Sequence, residues 1–333
     1  MAAYTGIQGQ NILIVSSDPA NPTEGQIWYN TTTNLLKGYA TVVTNAWSAG
    51  GNVSALKNFL SGAGTQTEAL AFGGSTPGGI TAVTEEYNGT SWSGGGNMGT
   101  ARYVMGGTGV QTAALAISGR VPPNTTTTAT EEYDGSTWTA GGTLATGKLS
   151  SGASGTQTSA LNFGGRGTPP PIQGLSSTEE YDGTSWTSGG NLNTARYGIA
   201  GCGTQTAGLG FGGTDTGSPT LNNTEEYDGT SWTSGGNLGT ARYQLGSAGT
   251  QTAALGAGGY STVYTGVSEL YNGTSWTSTG TMSTARGQVG SLGGSGAQTA
   301  GLVFGGGNST ARLNATEEFT GPGTPVTQTI TTS

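Results

Sequence analysis

The 333-residue chain contains no histidine and a single cysteine, Cys202. Without histidine it lacks the usual general base near neutral pH and the commonest protein ligand for transition metals. One cysteine excludes an internal disulfide and a thiolate zinc cluster, and reads as a small buried hydrophobe. Charge is scarce as well: 8% of residues are charged, and the net charge is −8. No cluster of Lys and Arg exists to neutralise phosphates, so a nucleic-acid partner is not expected. No stretch approaches a membrane span, no window sustains an apolar 3.6-residue period, and Met1 to Tyr4 lacks the basic-then-apolar plan of a signal peptide.

What is abundant is glycine, 65 residues of it, together with Thr, Ser and Asn. Such a composition alone would suit a disordered low-complexity chain, but it is arranged in a repeat. Trp47, Trp92, Trp138, Trp186, Trp232 and Trp276 lie 45, 46, 48, 46 and 44 residues apart, the period of a propeller blade. Ten residues past each Trp stands a basic residue: Lys57, Arg102, Lys148, Arg196, Arg242 and Arg286. A glutamine follows (Gln66, Gln111, Gln157, Gln205, Gln251, Gln298), then a diglycine that the second unit replaces by Ser118-Gly119, then Glu-Glu-Tyr or a close variant. Short alternating segments bounded by glycine-rich turns are strand signals, so the chain is expected to be all-β.

A diglycine at a strand end, then Tyr, then Trp, then a basic residue opening the next unit resembles the kelch repeat of β-propellers. The resemblance covers residues 47–319 and implies four strands per unit: an innermost one after the basic residue, a second ending in the diglycine, a third carrying Glu-Glu-Tyr, and an outer one carrying Trp. Asp-Gly or Asn-Gly between Tyr and Trp is expected to form a tight hairpin. The WD-repeat alternative shares the period but fails for lack of His and of a Trp-Asp pair. The copper-radical oxidases built on kelch propellers need His, which excludes their chemistry here. The last unit reaches Phe319 without a Trp, whereas Trp47 has no full unit before it. The preferred fold is therefore a six-bladed kelch-like β-propeller with a short N-terminal β-meander, in which the strand of Trp47 completes the blade begun at Arg286. A competing closure takes Pro325 to Ile330 as that outer strand and leaves the N-terminal hairpin to a partial seventh blade.

The expected organisation is 1–46 as the meander or attachment segment, 47–319 as the propeller, and 320–333 as an extended tail. The segment from Pro19 to Asn30, ending Gly25-Gln-Ile-Trp-Tyr-Asn30, looks like segments common in tailed-phage fibre and other virion proteins. That resemblance implies a virion protein that reaches the exterior by lysis rather than secretion, whose partners include other virion proteins.

The acidic pairs could suggest glycosidase carboxylates or calcium ligands. Adjacent strand residues point to opposite faces, so neither member of a pair can join the other at one atom. Repetition in every unit also favours architecture over a singular catalytic site. In the fifth unit Glu269 is kept while the second position becomes Leu270, so the first glutamate is the one the unit cannot spare. Glu85, Glu131, Glu179, Glu225, Glu269 and Glu317 match the six basic residues one for one, and one ion pair per blade interface is expected. No metal and no cofactor is expected: a tight two-residue turn offers too few oxygens for calcium.

The units differ most between the diglycine and Glu-Glu-Tyr, and in a propeller those loops gather on one face. Drift in solvent loops would leave the same variation, but the loop content favours recognition. Arg120, Arg166 and Arg312 all fall there, with Tyr260, Tyr264, Asp215 and Asn223 as aromatic and polar groups suited to sugar rings. The leading expectation is a non-enzymatic virion fibre or appendage component that presents this face to a host-surface glycan or protein. The rivals are a carbohydrate-binding or depolymerising propeller, and a self-assembling extracellular filament in which a terminal strand is donated to a neighbouring copy, a homo-oligomer.

Overall fold

The computed structural model describes residues 12–330 except 21, 23–24, 43–44, 168–172, 216–218, 294–295 and 322–323. Every regular element in them is a β-strand. The chain divides into two compact units, 1–45 with 321–333, and 46–320.

The larger unit repeats one four-stranded antiparallel sheet, giving a propeller-like architecture with six such sheets among the described residues. A representative sheet runs Ala200–Gly203, Gly208–Phe211, Thr224–Tyr227 and Trp232–Ser234, with Tyr227 opposite Trp232. The sheet that starts at Gly290–Ser291 takes its fourth strand from Ala46–Gly50, placing Phe319 opposite Trp47. The C-terminal strand Thr324–Thr329 is not that outer strand. It pairs with Leu35–Val42, so the chain's end is a strand of the smaller unit rather than a separate tail.

The first strands are built mostly of Gly, Ala, Ser and Thr because they crowd against one another. A Cβ on Gly201 would lie 2.7 Å from the Ala153 carbonyl oxygen of the preceding sheet. The constant glutamine and tryptophan both bond to the neighbouring sheet. The glutamine Nε2 donates to two backbone carbonyls of the preceding sheet, as Gln205 does to Ala160 at 3.1 Å and Tyr181 at 2.7 Å, and Gln66 does likewise to Gly301 and Phe319 of the last sheet. The Trp indole N–H donates to the hydroxyl that precedes the acidic pair in the preceding sheet, Trp232 to Thr178 at 2.9 Å and Trp92 to Thr316 at 3.0 Å. The Trp232 ring also packs 5.0 Å from Tyr227 in its own sheet and 4.7 Å from Phe163 in the sheet before. Such aromatic pairs contribute about 0.5–1.5 kcal/mol beyond the area they bury.

Two residues after each basic position the backbone turns left-handed. Phe59, Val104, Ser150, Gly198, Gln244 and Gln288 have φ of 55°, 52°, 54°, 64°, 55° and 57°. Five are not glycine, and such a conformation costs an L-residue roughly 1–2 kcal/mol. What holds them is a circuit of backbone hydrogen bonds. Val104 N–H donates to Phe59, Ser150 to Val104, Gly198 to Ser150, Gln244 to Gly198, Gln288 to Gln244, and Phe59 back to Gln288, all at 2.8–3.0 Å. The second diglycine residue has φ of 90–108° in every unit, Gly119 included at 98°, which explains its constancy. The first is replaceable: Ser118 takes φ 56° and its hydroxyl donates to Thr127 O at 2.6 Å.

The smaller unit is a mixed sheet rather than a meander. Leu13–Val15 pairs parallel with Ile27–Asn30, which pairs antiparallel with Leu35–Val42. A meander needs every neighbour antiparallel; here the eleven residues between the first two strands carry the chain back to the same end. Asp18, in that connection, accepts from Trp28 Nε1 at 3.0 Å and Asn30 Nδ2 at 2.7 Å and pairs with Lys37 at 2.5 Å. Trp28 and Asn30 are thus tied to one carboxylate, with Trp28 fully buried.

Candidate functional site

The six expected ion pairs are present and buried. Lys57 pairs with Glu85, Arg102 with Glu131 at 2.8 Å, Lys148 with Glu179 at 3.3 Å, Arg196 with Glu225 at 2.7 Å, Arg242 with Glu269 at 2.9 Å and Arg286 with Glu317 at 2.5 Å. They do not bridge neighbouring sheets, as equal counts suggested. Each basic residue lies on the segment entering a sheet and reaches the third strand of that same sheet. Counts alone cannot separate the two arrangements. The second carboxylate oxygen takes a backbone N–H of the entering segment, Gly99 for Glu131 at 2.6 Å and Asn193 for Glu225 at 2.6 Å, so the pair staples each connection to the sheet it opens. Burial lowers the guanidinium pKa of Arg102, Arg196, Arg242 and Arg286, and the paired glutamates oppose this.

The bond between sheets belongs to the second glutamate. Tyr87, Tyr133, Tyr181, Tyr227 and Tyr271 donate their hydroxyls to Glu318, Glu86, Glu132, Glu180 and Glu226 of the preceding sheet at 2.5–2.6 Å. Burial first, and the carboxylate second, push these five phenols up to about 12. The acidic pairs are thereby accounted for as structure, one member within a sheet and one between sheets. The Asp-Gly turns are four-residue connections, in which Asp228 Oδ1 accepts the N–H of Thr230 and Ser231 at 2.8 and 2.7 Å.

Because strands alternate in direction, the variable connections leave from one end of the sheets, while the Asp-Gly turns leave from the other. The variable residues are not freely solvated. Arg120, Arg166, Tyr260, Tyr264 and Arg312 are half-buried. Arg120, Arg166 and Tyr260 form backbone bridges with Tyr103, Leu149 and Tyr243, the residues that directly follow the constant basic positions. A loop that starts beside a diglycine is held against the segment that enters its own sheet before it can diverge.

Arg120 and Arg166 are brought together. They line one depression of about 310 Å³ with Phe59, Tyr103, Tyr197, Tyr243, Val104, Ser150 and Gln244. The Arg166 guanidinium lies 5.3 Å over the Tyr197 ring and that of Arg120 6.0 Å over Tyr103. The Nε atoms of both are enclosed and have no hydrogen-bond partner among the described residues, as is also true of Arg102, Arg196, Arg242 and Arg286. Burial raises the Tyr243 phenol above its ordinary range, with neighbouring tyrosines adding to this and Arg166 opposing it.

Tyr260 stacks edge-on against Tyr243 at 5.6 Å and Tyr264 at 5.1 Å, and those two loop tyrosines line a second depression of about 450 Å³ with Thr262, Val263 and Asn308. Tyr264 and Arg312 are linked by a relay: Gln288 Nε2 donates to Tyr264 Oη at 2.8 Å, Asn58 Nδ2 to Gln288 Oε1 at 2.7 Å, and Arg312 Nε to Asn58 Oδ1 at 3.1 Å. Asp215 instead accepts the Gly174 N–H at 2.6 Å, and Asn223 contributes its backbone carbonyl to Gly212; neither lines the two depressions. The residues that sequence reasoning missed are Tyr103, Tyr197 and Tyr243. Their signal was the variability immediately after an invariant basic residue: Asn58, Tyr103, Leu149, Tyr197, Tyr243, Gly287.

Among the described residues no group of three or more His, Cys, Asp or Glu could hold a metal ion, and no helix is long and apolar enough to cross a membrane. Burial raises the Cys202 thiol far above its ordinary range, so it is an inert core group. Neither a protein-family model nor a curated protein sequence matches this chain.

Proposed function

We propose that the chain is a non-enzymatic recognition protein, a closed six-bladed kelch-like propeller carried on a virion appendage, whose variable end binds a saccharide on the host surface. Closure is supported by the circuit of backbone bonds through Phe59 and Gln288 and by Gln66, Tyr87 and Trp92, which bond to the last sheet as their equivalents bond to the one before. The observation that carries the function is the convergence of Arg120, Arg166, Tyr103, Tyr197 and Tyr243 on one depression at the end where the units differ. Flat tyrosine faces with a few directed donors are the usual equipment of a sugar site. Binding is favoured over depolymerisation because no carboxylate is among the described residues lining the depression, whereas glycosidases ordinarily use two. The virion context follows from the resemblance of the segment ending at Asn30.

Saccharide-array binding by the full chain tests the reading. Retention that is lost in Tyr197→Ala and kept in Asp228→Ala supports it; equal loss in both variants, or no retention by the parent chain, overturns it.

A further inference from the structure

We infer that the depression between Arg120 and Arg166 selects acidic saccharides, the sugar ring lying on tyrosine and its carboxylate or sulfate held by the two guanidinium groups. The inference rests on the saccharide reading above and narrows it to a charge class.

Of ten basic residues, seven form ion pairs: Lys37 with Asp18, and the six that staple the sheets. Arg120, Arg166 and Arg312 form none among the described residues, and all three stand at the variable end. The Arg312 guanidinium is occupied by Asn58 and by Ser75 at 3.4 Å, whereas that of Arg120 has only a long contact to Tyr103 Oη at 3.5 Å and that of Arg166 has no hydrogen bond among the described residues. Two guanidinium groups sharing one depression repel each other. A neutral sugar leaves that charge uncompensated. An oxyanion matches the planar donor fork of the terminal amino groups and compensates the charge.

The surroundings agree. The exposed carboxylates of Glu68, Asp134, Asp182 and Asp228 belong to the turns at the opposite end of the sheets. The net charge of −8 therefore does not describe the depression, whose described lining holds two guanidinium groups and no carboxylate, Asp215 beyond it being engaged by the Gly174 N–H.

Calorimetric titration of the full chain with tetragalacturonate, tetraguluronate, tetramannuronate and a sulfated carrageenan tetrasaccharide, against the methyl ester of tetragalacturonate and neutral galactotetraose, tests this. At least one acidic oligosaccharide is expected to bind tenfold or more tighter than its neutral counterpart, with affinity falling as salt rises and falling at least tenfold in Arg120→Ala and Arg166→Ala. The preference between carboxylate and sulfate identifies which oxyanion is the natural one. Perturbed ring-proton shifts of Tyr197 and Tyr243 in the parent chain locate the site even where a variant fails to fold. Neutral and acidic sugars binding equally at those tyrosines would overturn the acidic selectivity and leave the saccharide reading standing. No binding by any of the set would overturn both.

Discussion

Phe319 and Leu270 replace, in adjacent sheets, the two partners of a bond that every other pair of neighbours keeps. Elsewhere a tyrosine hydroxyl reaches the second glutamate of the preceding sheet; here the hydroxyl and the carboxylate are absent together, and the two side chains join one apolar cluster. A third position follows. Three residues past Trp92, Trp138, Trp186 and Trp232 stands a glycine whose Cβ would fall 2.7–2.8 Å from the tyrosine hydroxyl, as at Gly95 against Tyr133. Beside Phe319 the equivalent residue is Thr279, because no hydroxyl needs the space.

Phe319→Tyr alone is therefore expected to lower stability by about 1–3 kcal/mol, since it buries a hydroxyl without an acceptor. Adding Leu270→Glu and Thr279→Gly rebuilds the standard interface, and the triple variant is expected to recover that loss. Urea unfolding of the single, double and triple variants measures the coupling. A fully additive series would show that the three positions are not linked.

The staples within sheets have the larger individual effect. Arg196→Ala leaves Glu225, 2% exposed, with amide donors but no counter-charge. Removing one partner of a buried pair costs about 3–5 kcal/mol. Replacing Arg196 by Met together with Glu225→Leu should cost much less, because no charge is left buried. Thermal unfolding of the two variants distinguishes pairing from mere volume; equal losses would refute the staple.

The repeat made the strand order legible because each constant residue has one job in every sheet. The partner of the basic residue was legible as a residue type but not as a place, since a pairing within a sheet and one across an interface have the same stoichiometry. The role of the second glutamate was hidden behind the first, although the joint change at Leu270, Thr279 and Phe319 carried it. Arg120 and Arg166 stood out as cations beyond the constant set, whereas Tyr103, Tyr197 and Tyr243 were masked by their closeness to the invariant arginines. The parallel pairing of Leu13–Val15 has no sequence signature, because its register depends on a connection anchored by Asp18.

Alkali should loosen the larger unit. The five interface tyrosines are held at about 12, above the ordinary value near 10. A raised folded pKa means that the folded state holds the proton more tightly. Their contribution is complete below about pH 10 and is lost as pH rises through about 12. Denaturant midpoints should be level up to pH 10 and then fall, and Tyr227→Phe should reduce the fall. A flat midpoint from pH 8 to 12 would contradict the arrangement.

Acid should act on the smaller unit through Asp18. Lys37 first, then Trp28 and Asn30, hold its carboxyl at about 2 instead of the ordinary 3.8. A depressed folded pKa gives stability that is present above 3.8 and lost as pH falls through about 2. Protonation removes the charge opposite Lys37 and weakens acceptance from the Trp28 indole and the Asn30 amide together. The indole N–H resonance of Trp28 should therefore shift and exchange faster across this window, while those of Trp92 and Trp232, bonded to threonine hydroxyls, should not follow it. Asp18→Asn is expected to reproduce the acid form at neutral pH, because one amide oxygen replaces two anionic ones and its NH₂ faces the Lys37 ammonium. A Trp28 resonance indifferent both to acid and to Asp18→Asn would remove Asp18 as the anchor of this unit.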